Sequence, residues 1–184
     1  MRVVDRPTPH HNVEMIEPAG TALIAVDAQL DFIPGGALGV PGADVVVAPI
    51  RELATYVGVV VATRDFHPPS HCGFTAQGGP WPPHCVIATP GAALHPGIDA
   101  IAHVIVSKGT GPSLEQYSGF DGTGLAALLQ ARGVRQLIVA GIATDYCVRG
   151  HSACSVRRGL RNDRCARRGA RGGPSSRRRR SSPG

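Results

Sequence analysis

Four short apolar runs punctuate the chain, at Thr21–Val26, Val57–Thr63, Ile101–Ser107 and Val134–Ala140. Each is close to continuously apolar rather than alternating, the pattern of a strand buried on both faces. Helical signals separate them. Asp44 suits an N-cap for a helix through Thr55, and Gly122–Arg132 reads as a helix stopped by Gly133. After the fourth run, Gly141–Val148 turns and places Cys147 where another helix begins, continuing to about Arg158. Strand and helix alternate throughout. This predicts an α/β fold, a doubly wound parallel sheet in a three-layer α/β/α arrangement. Two loops interrupt the rhythm: Asp31 to Gly42, rich in Gly and Pro, and His67 to Pro96, rich in Pro, Gly and His. Connections of the second loop's length in a compact domain tend to be functional.

In such sheets ligands sit outside the carboxyl ends of the strands. Asp27, Asp65, Lys108 and Cys147 all fall at that edge. Asp27, Lys108 and Cys147 form a candidate nucleophilic set, in which a carboxylate accepts the thiol proton. A neighbouring ammonium and the positive end of a helix dipole both favour thiolate. The competing reading is a structural Asp–Lys ion pair beside an inert, buried thiol. Asp65, His67 and His84 form a candidate metal site, because Asp-x-His puts both side chains on one side of an extended segment. One carboxylate and two imidazoles suit zinc, iron or manganese with open positions for water, and His71 is a candidate fourth group. Against this stand simple exposure of loop histidines, and a structural zinc on His71, Cys72, His84 and Cys85. The latter lacks Cys-x-x-Cys spacing. Phe32 and Trp81 are two of only five Phe or Trp residues, and both lie in loops beside the crevice, placed to sandwich a planar ring or simply to pack.

Charge changes the picture at one end only. Residues 149–184 hold twelve of the nineteen basic residues and one acid, Asp163, so that segment is +11. Residues 1–148 hold seven basic and twelve acidic residues and are −5, with no basic face for nucleic acid. Five cysteines without framework spacing fit a reduced, cytoplasmic protein better than a disulfide scaffold. The N-terminus lacks the apolar core of a signal peptide, and no apolar run has membrane-spanning length. Residues 1–20 read as an irregular leader, in which His10 and His11 are a solvated pair.

Six motifs together resemble a known family: Val-Asp-Ala-Gln-Leu-Asp-Phe (26–32), Thr-Arg-Asp-Phe-His-Pro (63–68), Trp-Pro-Pro-His-Cys-Val (81–86), Ser-Lys-Gly (107–109), Tyr-Ser-Gly-Phe (117–120) and Gly-Ile-Ala-Thr-Asp-Tyr-Cys-Val (141–148). They are similar in content and order to the isochorismatase-like cysteine hydrolases, on the metal-dependent nicotinamidase branch. The resemblance implies an amidohydrolase of NAD salvage, turning nicotinamide, and by isosterism pyrazinamide, into the acid and ammonia through a cysteine thioester. It implies Asp27 as base, Lys108 as stabilising cation and Cys147 as nucleophile. One divalent ion (Zn, Fe or Mn) would rest on Asp65, His67 and His84, with Phe32, Trp81 and Tyr117 around the substrate. A cis Ile142–Ala143 peptide would aim the N–H groups of Ala143 and Cys147 at the oxyanion. The implied partner is a small molecule, with a homo-oligomer allowed and neither a membrane nor a specific nucleic acid expected.

The resemblance stops near Arg149. The family pattern would continue through an Ala/Thr/Leu helix and another strand, whereas this chain turns to Arg, Gly, Ser and Pro. Back-translated and read one nucleotide later, residues 150–164 become compatible with the missing family sequence, which points to a frameshift near codon 149; resequencing that codon tests it. As written, the sequence predicts a hydrolase domain over 21–158, an uncovered fourth strand at the sheet edge, a poorly packed last helix, and a disordered tail over 159–184. Two rival readings follow: an inactive remnant whose basic tail binds RNA by charge, and a metal-free relative with another substrate.

Overall fold

The computed structural model describes residues 17–157 and 160–164. Leader residues 1–16, with His10 and His11, and most of the expected tail lie outside the described residues. Among the described residues five strands form one sheet: β1 (Thr21–Val26), β2 (Val59–Asp65), β3 (Val104–Lys108), β4 (Gln136–Gly141) and β5 (Arg161–Arg164). All neighbours are parallel, in the order β3-β2-β1-β4-β5. The chain therefore winds outward one way through β2 and β3, then restarts beside β1 at β4. The gap between the carboxyl ends of β1 and β4 is the switch point at which such folds open a crevice.

β1 shows why the sheet is a middle layer. All six of its side chains are buried. Leu23 and Ala25 face one cluster with Ile50 of helix α1 (Val47–Ala54) and Ile98 of the short helix α2 (Pro96–Asp99). Ala22, Ile24 and Val26 face the other, with Leu125 and Leu129 of α3 (Leu125–Ala131). A continuous apolar run is what a strand packed by helices on both faces requires. No helix among the described residues is long and apolar enough to cross a membrane.

Three expectations are corrected. Asp44 does not cap a helix: it sits within a 3₁₀ turn, Ala43–Val46, and α1 starts afterwards with no side-chain cap. Strands β2 and β3 run further than their apolar runs, so Asp65 and Lys108 are paired to each other inside the sheet rather than lying just beyond it. The edge of β4 is not uncovered, since β5 pairs with it from Gln136↔Arg161 to Val139↔Arg164. Ladder hydrogen bonds come from the backbone and tolerate polar side chains, so Arg-Asn-Asp-Arg makes a strand that hydrophobic pattern does not reveal. The last helix, α4 (Arg149–Arg157), does face the protein, but through His151, Ser152 and Ser155, all buried.

Candidate active site

Asp27 follows β1 directly and takes a left-handed conformation, φ +49°. Its N–H donates to Thr63 O at 3.1 Å, and Gln29 N–H donates to its carbonyl at 2.8 Å, which fixes the turn. Non-glycine residues adopt such backbone mainly where surroundings impose it, often at functional sites. The turn points a fully buried carboxylate along the sheet edge. Thr63 Oγ1 donates to its Oδ1 at 2.7 Å, and Lys108 Nζ lies 3.0 Å from its Oδ2. Lys108, itself buried, also pairs with Asp65 Oδ1 and donates toward Cys147 Sγ at 3.4 Å. The sulfur and one carboxylate oxygen from each of Asp27 and Asp65 lie within 4.8 Å of one another. The three side chains expected to form the nucleophilic set are thus assembled.

The electrostatics of this cluster differ from the sequence expectation of a thiolate. Cys147 lies within a wide turn, Thr144–Val148, in which Val148 N–H bonds back to Ala143 O, and α4 starts only after it. Burial pushes the Cys147 thiol well up; Lys108 pulls the other way, and the Asp27 and Asp65 carboxylates add to the rise. The group rests as a thiol. Burial also opposes the Lys108 charge, but Asp27 and Asp65 overcome that and hold its ammonium well above the ordinary lysine range. Burial pushes Asp65 up, but Lys108 and His67 together pull it down by more, so its carboxyl sits well below the usual range.

Asp65 also begins the second cluster. Ligand atoms of Asp65, His67 and His84, all buried, lie within 4.8 Å of one another. His67 Nδ1 meets Gly109 O at 2.9 Å and His84 Nδ1 meets Pro82 O at 2.7 Å. A carbonyl can only accept, so each Nδ1 carries the hydrogen and each Nε2 offers its lone pair. Such outer bonds orient metal-ligating imidazoles. Burial lowers both rings; in His67 the Asp65 contact overrides it and raises the value, in His84 burial wins. Gly109 must be glycine, because at φ +61° a Cβ would fall 2.3 Å from His67 Cε1. One carboxylate oxygen and two imidazole nitrogens suit a divalent ion of the zinc, iron or manganese type.

His71 does not join this set. Its Nε2 meets Leu114 O at 3.1 Å and its Nδ1 accepts from Gly73 N–H at 3.2 Å, so both nitrogens are spent bracing the loop while its ring stacks 4.0 Å from His67. The alternative zinc set with Cys72 and Cys85 is not among the metal-capable groups of the described residues. Burial and the neighbouring carboxylates push the Cys85 thiol up.

A cavity of about 330 Å³ opens onto both clusters, lined by Cys147, Asp65 and His84 and walled by Phe32, Trp81, Tyr117, Tyr146, Leu38 and Val40. Phe32 tilts against His84 with ring centroids 5.5 Å apart, and Trp81 meets Tyr146 edge-on at 5.3 Å. Burial raises the Tyr117 hydroxyl, against a smaller downward pull from its hydrogen bond with Trp81. The Ile142–Ala143 peptide is cis. Sequence reasoning missed Tyr146, one residue from Cys147, and two braces. Gln29 bonds Asp65 at both its N–H and its carbonyl, each at 2.7 Å. Asp31 Oδ2 accepts from Cys85 N–H at 2.7 Å, fixing the backbone beside His84. The amide and carboxylate were visible in the motif at 26–32, but nothing in their spacing distinguishes a brace from a surface group.

A buried thiol grouped with an ammonium and a carboxylate at the switch point of a 3-2-1-4-5 sheet, beside a carboxylate–imidazole cluster, is an arrangement suited to a hydrolase of the α/β class. The chain belongs to the isochorismatase family, whose domain model matches residues 21–161. Among curated relatives it is 44% identical over 154 residues to the nicotinamidase/pyrazinamidase of Mycobacterium tuberculosis, covering 76% of this chain and 80% of that one. It is 38% identical over 159 residues to the nicotinamidase of Acinetobacter baylyi, covering 74% of each. Among solved structures, the pyrazinamidase of Pyrococcus horikoshii in complex with zinc superposes with a TM-score of 0.72 at 44% identity, over 77% of this chain and 80% of that one. PnC1 from L. infantum in complex with nicotinate does so at 0.74 and 37% identity, over 77% and 76%.

Proposed function

We propose that this chain hydrolyses nicotinamide to nicotinate and ammonia, and pyrazinamide likewise, through a thioester on Cys147. The observation that carries this is the single ammonium of Lys108, which lies 3.0 Å from Asp27 Oδ2 and 3.4 Å from the Sγ of Cys147, a residue that lines an aromatic-walled cavity. The nicotinamidase relatives and the neighbour crystallised with nicotinate support the substrate.

In this reading Asp27 takes the thiol proton as Cys147 Sγ attacks the carboxamide carbon. Lys108 offsets the carboxylates so that the sulfur can carry charge at that moment. The N–H groups of Ala143 and Cys147 receive the oxyanion. Asp27 returns the proton to the departing amine, and ammonia leaves a thioester. Water then adds to that carbonyl while Asp27 accepts its proton, and collapse releases nicotinate and restores the thiol. Phe32, Trp81 and Tyr117 orient the ring. Asp65, His67 and His84 hold one divalent ion, zinc by the precedent of the Pyrococcus neighbour. When bound, it supplies a Lewis acid for a ring nitrogen and for water. The hydrolase domain spans 21–158. An ammonia-release assay on the purified chain tests the proposal: turnover of nicotinamide that Cys147→Ala lowers by about 10⁴-fold or more supports it. Turnover unaffected by that change, or none at all in the metal-loaded protein, refutes it.

A further inference from the structure

His151, in the first turn of α4, is fully buried and makes two hydrogen bonds, neither of which any role above uses. Its Nε2 accepts from Gly119 N–H at 2.8 Å, and its Nδ1 meets the carbonyl of Cys147 at 2.7 Å. An amide N–H can only donate and a carbonyl can only accept, so these partners demand the neutral ring with hydrogen on Nδ1. Burial independently favours the neutral form.

The two bonds join separate pieces of the site. Gly119 belongs to the loop that carries Tyr117, a wall of the cavity. Cys147 belongs to the turn after β4. The fit is close on every side. A Cβ at Gly119 would lie 2.9 Å from His151 Nε2 and 3.0 Å from Thr63 Cγ2, beside the very threonine that donates to Asp27. A Cβ at Gly150 would lie 3.0 Å from Tyr117 O. The Phe120 ring sits 6.2 Å from the imidazole.

We infer that His151 is a positioning residue, a strap whose Nδ1–H fixes the backbone of the nucleophile and whose Nε2 fixes the loop bearing Tyr117. It touches no reacting atom. The inference rests on the proposed amidohydrolase reading for its kinetic signature only. The strap acts on two different things, so its halves separate: the Cys147 bond governs the chemical step, and the Gly119 bond governs the shape of the ring pocket. His151→Asn keeps a donor near the Nδ1 position and gives up the acceptor. His151→Gln keeps an acceptor near Nε2 and gives up the donor.

The experiment measures nicotinamide kinetics for both variants and for Gly119→Ala, which disturbs the same strap from its other end. Two measurements independent of turnover accompany it: the rate of Cys147 alkylation by iodoacetamide, and the amide proton shift of Gly119. Losing one buried hydrogen bond is worth about tenfold. Asn at 151 should raise KM about tenfold with kcat little changed, and Gly119→Ala should do the same. Gln should lower kcat about tenfold with KM little changed and alter the alkylation rate. Asn should move the Gly119 amide proton upfield, while Gln leaves it near its original place. If both 151 variants change kcat and KM in equal proportion, the role is structural and the inference falls. If neither alkylation nor the Gly119 shift responds, no strap exists. A wild-type chain that releases no ammonia sinks the amidohydrolase reading alone, because alkylation and the amide shift still decide whether the strap holds the nucleophile.

Discussion

Lys108→Met removes the one ammonium shared by Asp27, Asp65 and Cys147 while keeping the length of the side chain. Lys108 and Asp27 are wholly buried and Asp65 nearly so, which means solvent screens little of the loss. Breaking a buried ion pair by deleting one partner costs about 3–5 kcal/mol, because the other charge is left stranded. Here two carboxylates, Asp27 and Asp65, lose the same partner, so the upper part of that range applies. The loss has a ceiling set by proton uptake. A carboxyl with an ordinary value near 3.9 takes a proton at pH 7 for about 4 kcal/mol, and that figure shrinks by about 1.4 kcal/mol for each unit the pH falls.

The sign of the pH dependence therefore reverses. In the wild type, Asp65 is held below its unfolded value, so its contribution is full above about pH 4 and is lost as the pH falls through the folded value. In Lys108→Met the stranded carboxyls sit above their unfolded values, so stability rises as the pH drops from 7 to 5, by about 1.4 kcal/mol per unit for each carboxyl that protonates. Urea unfolding of both proteins at pH 7, 6 and 5 reads this directly. A variant that loses under about 1 kcal/mol at pH 7, or whose stability fails to rise between pH 7 and pH 5, refutes the claim that Lys108 neutralises a buried acidic pair.

Thr63→Val preserves shape and removes the 2.7 Å hydrogen bond to Asp27 Oδ1, at a cost of about 1.5–3 kcal/mol that the urea midpoint reports. Gly109→Ala places a Cβ 2.3 Å from His67 Cε1 on a φ of +61°, so the ring must turn; metal analysis of the purified variant should show less bound ion, and full occupancy would count against the cluster. Dipicolinate should abolish ammonia release and added zinc restore it, while His84→Ala should not be rescued at the same zinc concentration; activity that survives chelation removes the ion from the scheme.

Much of this was legible in the sequence because the fold is parallel. Buried parallel strands announce themselves as unbroken apolar runs, and β1 falls on its run residue for residue. Their carboxyl ends then identify Asp27, Lys108 and Cys147 as neighbours without any knowledge of distances. What failed to show has two physical sources. Ladder bonding is indifferent to side chains, so β5 is invisible in Arg161–Arg164, and β2 and β3 outrun their apolar stretches. Bracing is indifferent to spacing, so nothing marked Gln29, Asp31 or His151 as fixing the backbone, or His71 as a loop brace rather than a ligand. The frameshift reading belongs to the nucleotide sequence, and only resequencing of codon 149 addresses it.

The sequence treats the nucleophilic set and the metal set as two constellations, yet they share a member. Asp65 lies within ligating distance of His67 and His84 and is ion-paired with Lys108, which in turn touches Asp27 and Cys147. The reason is register: Asp65 and Lys108 are Cα partners on neighbouring parallel strands, so their side chains emerge together on one face at the sheet's edge. Burial is what chiefly keeps a proton on Cys147; Lys108 opposes it, and the Asp27 and Asp65 carboxylates add to it. Positive charge supplied on the His67–His84 side would be felt first by Asp65, the carboxylate that competes with Asp27 for Lys108. The hold of Lys108 on Asp27 and on the sulfur is therefore set in part by what Asp65 faces on its other side.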